Sequence, residues 1–503
     1  MINYLSNNFK YFVLLLLLTP LFRIYDDPHL LLAYIISIAT LSIFIIQKRQ
    51  HLNTILVISL IIYMMHFFIP LYYYVLFKKL DIWFEHLGLD LLASDKILSV
   101  MILVNVGMII IKFISKLYTP HENHLLNKIQ YQISNVKYND IKKVLKIVIF
   151  LSIFSATFSV MQYISMGSAM YDHSSKDKLL RFLLLLINPS QLSIIFFIAY
   201  FIALSKNYNL NKLLFLYIFI TTLSGLLIGT RSTLVTLIIM VVIVYFLAMK
   251  INYSLFLTFV KNRKKIFIYL VIIVILAIIF FNIATNIRFY LFREHEDLSF
   301  IVLLLDNKYS SLNRIIARLS YIDVVSLINV AHTVGYYEFN KEVLLNFFNI
   351  IYEMKYSINV LVPGDVFDDV KLNLGEVFRV VYLGYSFDQI ISSHQSYVPT
   401  LYGYILSFIY PYTSLVIYFL VYTLFIFISV VLAIMMLKFS SLKNHYSLSL
   451  LSLYIVYIFI HHLLTFQSIG WLVGIVYQKT FISLFTIILI YLIKNLLERR
   501  KNT

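Results

Sequence analysis

The chain of 503 residues contains no cysteine. That absence excludes disulfides, thiolate metal sites and thiol nucleophiles. Charge is scarce as well: Asp, Glu, Lys and Arg make up 13% of the chain, against about a quarter of a soluble domain. With 61% hydrophobic residues and a mean hydropathy of +0.86, this excludes an ordinary soluble fold and predicts an integral membrane protein. Acidic residues are the rarer sign, 24 against 41 basic, for a net charge of +17. The lysines do not gather into one soluble basic domain, so nucleic acid is not an expected partner. No small-residue cleavage site follows the apolar run 11–22, and another apolar run comes close behind it. The run therefore reads as a first span and not as a cleaved signal. Internal repeats, low-complexity linkers and zinc-type His/Glu spacing are missing too.

What is present is a series of apolar stretches of membrane length. Helices are predicted near 9–24, 29–47, 52–76, 97–118, 144–164, 182–204, 212–229, 231–249, 266–285, 411–437, 446–464 and 470–494, with Pro189 a candidate kink in the sixth. The expectation is an all-α polytopic membrane protein of about twelve transmembrane helices, a single domain over 1–503. Lysines mark one set of ends: Lys48; Lys112, Lys116, Lys128, Lys137, Lys142, Lys143 and Lys146; Lys206 and Lys212; Lys250, Lys261, Lys264 and Lys265; Lys438 and Lys443; Lys494 and Lys501. The positive-inside rule puts these ends, and both termini, in the cytoplasm. The opposite side receives the one long hydrophilic insertion, 285–398, and connections of that length are usually functional. Within it, 341–354 is patterned as an amphipathic surface helix. Pro399 and Pro411 bracket a short apolar piece, 400–410, that reads as re-entrant.

Basic residues divide by side. Eight of twelve arginines fall outside: Arg23, Arg181, Arg231, Arg288, Arg293, Arg314, Arg318 and Arg379. Nineteen of twenty-nine lysines fall inside. Insertion rules do not distinguish the two residues, so topology alone leaves the split unexplained. Arginine's planar fork binds phosphate in bidentate fashion and keeps its charge at any relevant pH. An arginine-rich outer face therefore fits a lipid-linked phosphate or diphosphate. Arg231 is the sharpest case, because an arginine opening an apolar helix is costly unless an anion or water meets it. Arg314 and Arg318 stand four apart on one helix face, where they repel unless an anion bridges them or Asp306 or Asp323 pairs with them. Arg288 and Arg293 have Glu294 and Glu296 close by, so surface pairing competes with a ligand role.

Other candidates are fewer. Asp365, Asp368 and Asp369 supply oxygens for a hard cation, though a polar turn after Pro363 and Gly364 explains them as well. His461 and His462 end the eleventh predicted span. His394 lies where the outer loop re-enters the membrane, and a neutral imidazole there is suited to take a proton from a sugar hydroxyl; a structural capping role is the alternative.

Two short runs then carry a family resemblance. Gly229-Thr230-Arg231-Ser232-Thr233-Leu234 is similar to a Gly/Ser-Arg run that starts a helix in bacterial O-antigen polymerases and ligases, which act on undecaprenyl-diphosphate-linked glycans. His394-Gln395-Ser396-Tyr397-Val398 resembles the ligase-type His-Asn-x-x-Leu run, departing from it at Gln395 and Val398. About a dozen spans, cytoplasmic ends and a late periplasmic loop match as well. The resemblance implies a GT-C-like, metal-independent glycosyltransferase of the bacterial inner membrane without a cofactor. It implies a role for His394 as catalytic base and for Arg231 as a diphosphate ligand; the sorting of arginines by side adds Arg314, Arg318, Arg288 and Arg293 as expected diphosphate ligands. It also implies lipid-linked oligosaccharides as substrates and a chain-length regulator as a partner. The departures favour polymerase over ligase; a flippase for the same lipid is the reading from a different class, and it lacks the repeats and mid-span charges common in transporters.

Overall fold

The computed structural model describes residues 18–45, 52–77, 92–166, 189–227, 232–261 and 415–441, with shorter pieces at 279, 280, 283, 316, 320, 322, 325, 326, 355, 485–490, 492 and 493. These residues are mostly helical, and no strand occurs among them. In chain order the helices are α1 (Leu21–Ile24), α2 (Pro28–Ile45), α3 (Thr54–Tyr63), a π-helical turn (Met64–Phe68), α4 (Ile69–Phe77), α5 (Ser94–Ser115), α6 (Thr119–Ile133), α7 (Tyr138–Met166), α8 (Pro189–Ser205), α9 (Asn211–Leu227), α10 (Ser232–Ile251), α11 (Tyr253–Lys261) and α12 (Leu415–Ser441).

Two continuous helices, Thr54–Phe77 and Ser94–Ser115, have both the length and the apolar character to cross a membrane. Shorter apolar stretches lie in α2, α8, α9, α10 and α12. α1 to α5, α7 to α10 and α12 fall where apolar runs predicted helices; α6 and α11 fall in predicted connections. The predicted spans at 266–285, 446–464 and 470–494 lie outside the described residues or are touched by only a few of them. So do 182–188, so the predicted sixth span is described only from Pro189 onward.

The π-helical turn has an identifiable cause. Pro70 offers no N–H, and its ring would crowd the carbonyl of His66 in a regular α-helix. The chain widens just before it: the Ile69 N–H donates to the Met64 carbonyl, the i→i+5 pattern of a π turn. Thr54–Phe77 therefore stays continuous through a proline.

Packing follows two groups. α2 lies along α5, and both touch neighbours α3, α4 or α12; α7, α8, α9 and α10 form the second group. α10 bridges them by packing on α3 and on α6. Three polar links run along α2 and α5: Ser94 to Asp27 near one end, Asn105 to Ser37 (3.3 Å) midway, and the Lys112 amine to the Ile43 carbonyl (3.0 Å) at the other. Aromatic stacking fills the second group, with Phe196 of α8 on Tyr217 of α9 at 3.9 Å between ring centroids.

The outside of the bundle is apolar at helical spacing. Phe150, Ile153 and Phe154 are exposed on α7, Phe215, Phe219 and Leu223 on α9, and Leu420, Leu424, Phe427, Ile428, Leu432 and Met435 on α12. Stripes recurring every three to four residues normally face a core. Here they face out, and extended apolar surface of this kind marks membrane or protein contact.

Candidate functional site

α10 frames the arginine that the sequence singles out. α9 ends at Leu227 and α10 begins at Ser232, so Arg231 immediately precedes a helix of 20 residues whose last turn carries Lys250. At 1.5 Å per residue that helix is about 30 Å long, the thickness of a bilayer core. Arg231 itself lies outside the described residues, as do Arg288, Arg293, Arg314, Arg318, His394, the aspartates 365, 368 and 369, His461, His462 and the run 341–354. Ile316, midway between Arg314 and Arg318, is helical and buried, and the Ser320 N–H donates to its carbonyl at 2.9 Å. Arg23 is the one arginine among the described residues; it is exposed in α1.

At the far end of α10 the structure builds a junction that sequence reasoning missed. α6 carries Glu122, wholly buried, whose Oε1 meets the Lys250 Nζ at 2.6 Å. Its Oε2 accepts the Thr54 N–H at 2.8 Å, so one carboxylate both pairs with α10 and satisfies an orphan donor at the start of α3. Asn53 completes that cap. Its Oδ1 accepts the Leu56 N–H (2.9 Å), while its Nδ2 donates to the Ser115 carbonyl (2.8 Å) and the Thr119 hydroxyl (2.9 Å). The ends of α3, α5 and α10 thus meet on one short helix, and α12 packs on it as well. These ends all belong to the lysine-marked set. Burial pushes the Tyr118 phenol upward, and the negative Glu122 adds to the effect, so this hydroxyl stays protonated. The His121 imidazole is pushed downward by burial first, then by Lys438 and His124.

A second polar centre lies within the helices. The Tyr63 hydroxyl donates to Asn105 Oδ1 (2.8 Å), and Asn105 Nδ2 donates to the Met101 carbonyl (2.6 Å) and Ser37 Oγ. Every member is buried and satisfied. Uncharged and fully bonded, this cluster joins α2, α3 and α5 and offers no acid or base. Among the described residues no group of His, Asp or Glu is placed to hold a metal ion. The described polar centres are therefore joints. Comparison with protein-family models, curated proteins and solved structures finds no match to this chain.

Proposed function

We propose that the chain is a polysaccharide polymerase of the bacterial inner membrane, with about twelve spans in a GT-C-like arrangement and both termini in the cytoplasm. It transfers a growing glycan from undecaprenyl diphosphate to a sugar hydroxyl of a new lipid-linked repeat unit. The anomeric carbon–oxygen bond to the diphosphate breaks and a bond to the acceptor oxygen forms. His394 takes the acceptor's proton, and the diphosphate leaves on its lipid. Arg231, assisted by Arg314, Arg318, Arg288 and Arg293, holds that diphosphate as charge gathers on it, which is the catalytic effect that usually counts most.

The observation that carries this reading is the polarity of α10. One end is preceded by Arg231 in a Gly-Thr-Arg run; the other ends in a lysine ion-paired within the lysine-rich junction, about 30 Å away. The outward apolar stripes of α7, α9 and α12 support the bilayer that this polarity needs.

Arg231→Lys tests it, since lysine keeps the charge and loses the two-pronged fork. We expect glycan chains to shorten sharply, with a loss of roughly tenfold or more in rate for one charged hydrogen bond. Normal chain lengths at normal protein levels would overturn the assignment. A deletion strain separates the class: single capped repeats mark a polymerase, unattached long chains a ligase, and lipid-linked units retained in the cytoplasm a flippase.

A further inference from the structure

The joint between α10 and α11 is built by asparagines. Asn252 Oδ1 accepts the N–H groups of Ser254 (3.1 Å) and Leu255 (3.3 Å), capping α11. Its Nδ2 is shared among Asn207 Oδ1 (2.7 Å) and the carbonyls of Leu204 (3.3 Å) and Ser205 (3.4 Å) at the end of α8. Asn207 has φ of 57°, a left-handed conformation that asparagine tolerates better than most residues. Its own Nδ2 donates to Ser254 Oγ at 3.2 Å. The direction in which α11 leaves α10 is therefore set by a folded clasp.

α11 then presents three stripes. Leu255 packs toward the core. Tyr253 and Leu257, one turn apart, are 62% and 50% exposed. Ser254, Thr258 and Lys261 are exposed beside them. Lys261 follows Leu257 by four residues, so its charge stands at the border of the outward apolar stripe. Residues 251–266 hold Lys261, Arg263, Lys264 and Lys265 and no acidic residue. Lys250, just before them, is already paired with Glu122.

We propose that α11 lies in the headgroup layer on the lysine-rich side and gathers acidic phospholipid there, with Tyr253 and Leu257 among the acyl chains and Lys261, which opens a basic run in the sequence, on the phosphates. Outward apolar residues next to exposed positive charge are the signature of an interfacial helix. Each basic residue near an anionic surface favours it by about fivefold. The proposal rests on the membrane reading above and is independent of the glycan chemistry.

The lack of native cysteine makes the test direct. A bimane label on Leu257→Cys in the full chain is reconstituted in phosphatidylcholine vesicles. Nitroxide-bearing lipid is then added with either a phosphatidylglycerol or a phosphatidylcholine headgroup. We expect the acidic lipid to quench at a several-fold lower mole fraction. Replacing Lys261, Arg263, Lys264 and Lys265 by Gln should merge the two curves without changing the melting temperature. Equal curves in the parent, or an acidic preference that survives neutralisation, would overturn the proposal. Phe219→Cys on the exposed face of α9 is the control. Quenching at 219 but not at 257 sinks α11 alone; quenching at neither sinks the membrane reading with it.

Discussion

Glu122 is a single carboxylate with two partners: one oxygen on a lysine amine, the other on a helix N-terminus. Removing one partner of a buried pair strands the other, which typically costs about 3–5 kcal/mol, whereas replacing both is close to neutral. We expect Lys250→Met and Glu122→Gln each to destabilise the detergent-purified protein on that scale, and the double variant to recover most of the loss. The Glu122→Gln side chain still offers a carbonyl to the Thr54 N–H, so the recovery isolates the ion pair from the cap. Thermal melting checks it; single variants within about 1 kcal/mol of the parent would show that water reaches the pair. The partnership was not legible in the sequence. Glu122 and Lys250 are 128 residues apart, and an acid in a lysine-rich connection reads as solvated. Arg231, which lies outside the described residues, stands out in the sequence for the opposite reason: a charge abutting an apolar run is conspicuous without any fold.

At the scale of elements, apolar length sufficed to locate α2, α3 with α4, α5, α7, α8, α9, α10 and α12 as helices, because a long apolar helix is recognised by its own composition. It did not reveal α6, which reads as a connection when only lysines are counted. Its signals were present: Pro120 in the first turn and Leu125, Leu126, Ile129 and Ile133 at helical spacing, all buried. α6 meets α12 near His121, Lys438 and His124, which gives the contact a pH dependence. His121 is held below the ordinary histidine value near 6.5. Above that value folded and unfolded chains are both neutral at this site, so it contributes no pH dependence there. As pH falls through the ordinary value the unfolded chain binds the proton first, and stability is lost until the lower folded value is passed. We expect the parent to lose more melting temperature between about pH 7.5 and about pH 5.5 than His121→Gln does. An identical loss in both would mean that His121 does not face a desolvated, positive surface.

Across the whole molecule, one arrangement recurs: ends marked by lysine converge on α6, while the end of α10 preceded by Arg231 is directed away from it. Four helix ends from separated parts of the sequence, those of α3, α5, α10 and α12, sit against one helix; charge counting assigns the same ends to one side. If that side is the cytoplasm, α6 is a cytoplasmic helix and the insertion 285–398 is extracytoplasmic, which is where a lipid diphosphate and its arginines must meet. Single cysteines in this cysteine-free chain report on both halves of the argument. Asn127 is exposed on α6, and Asn373 lies in the insertion. With a membrane-impermeant thiol reagent, we expect Asn373→Cys to react in cells whose outer membrane alone has been opened. Asn127→Cys should react only after the inner membrane is permeabilised too. The two must behave oppositely: reaction of both under the first condition, or of Asn373→Cys only under the second, would overturn this topology. It would also remove the periplasmic placement of the arginines on which the polymerase reading depends.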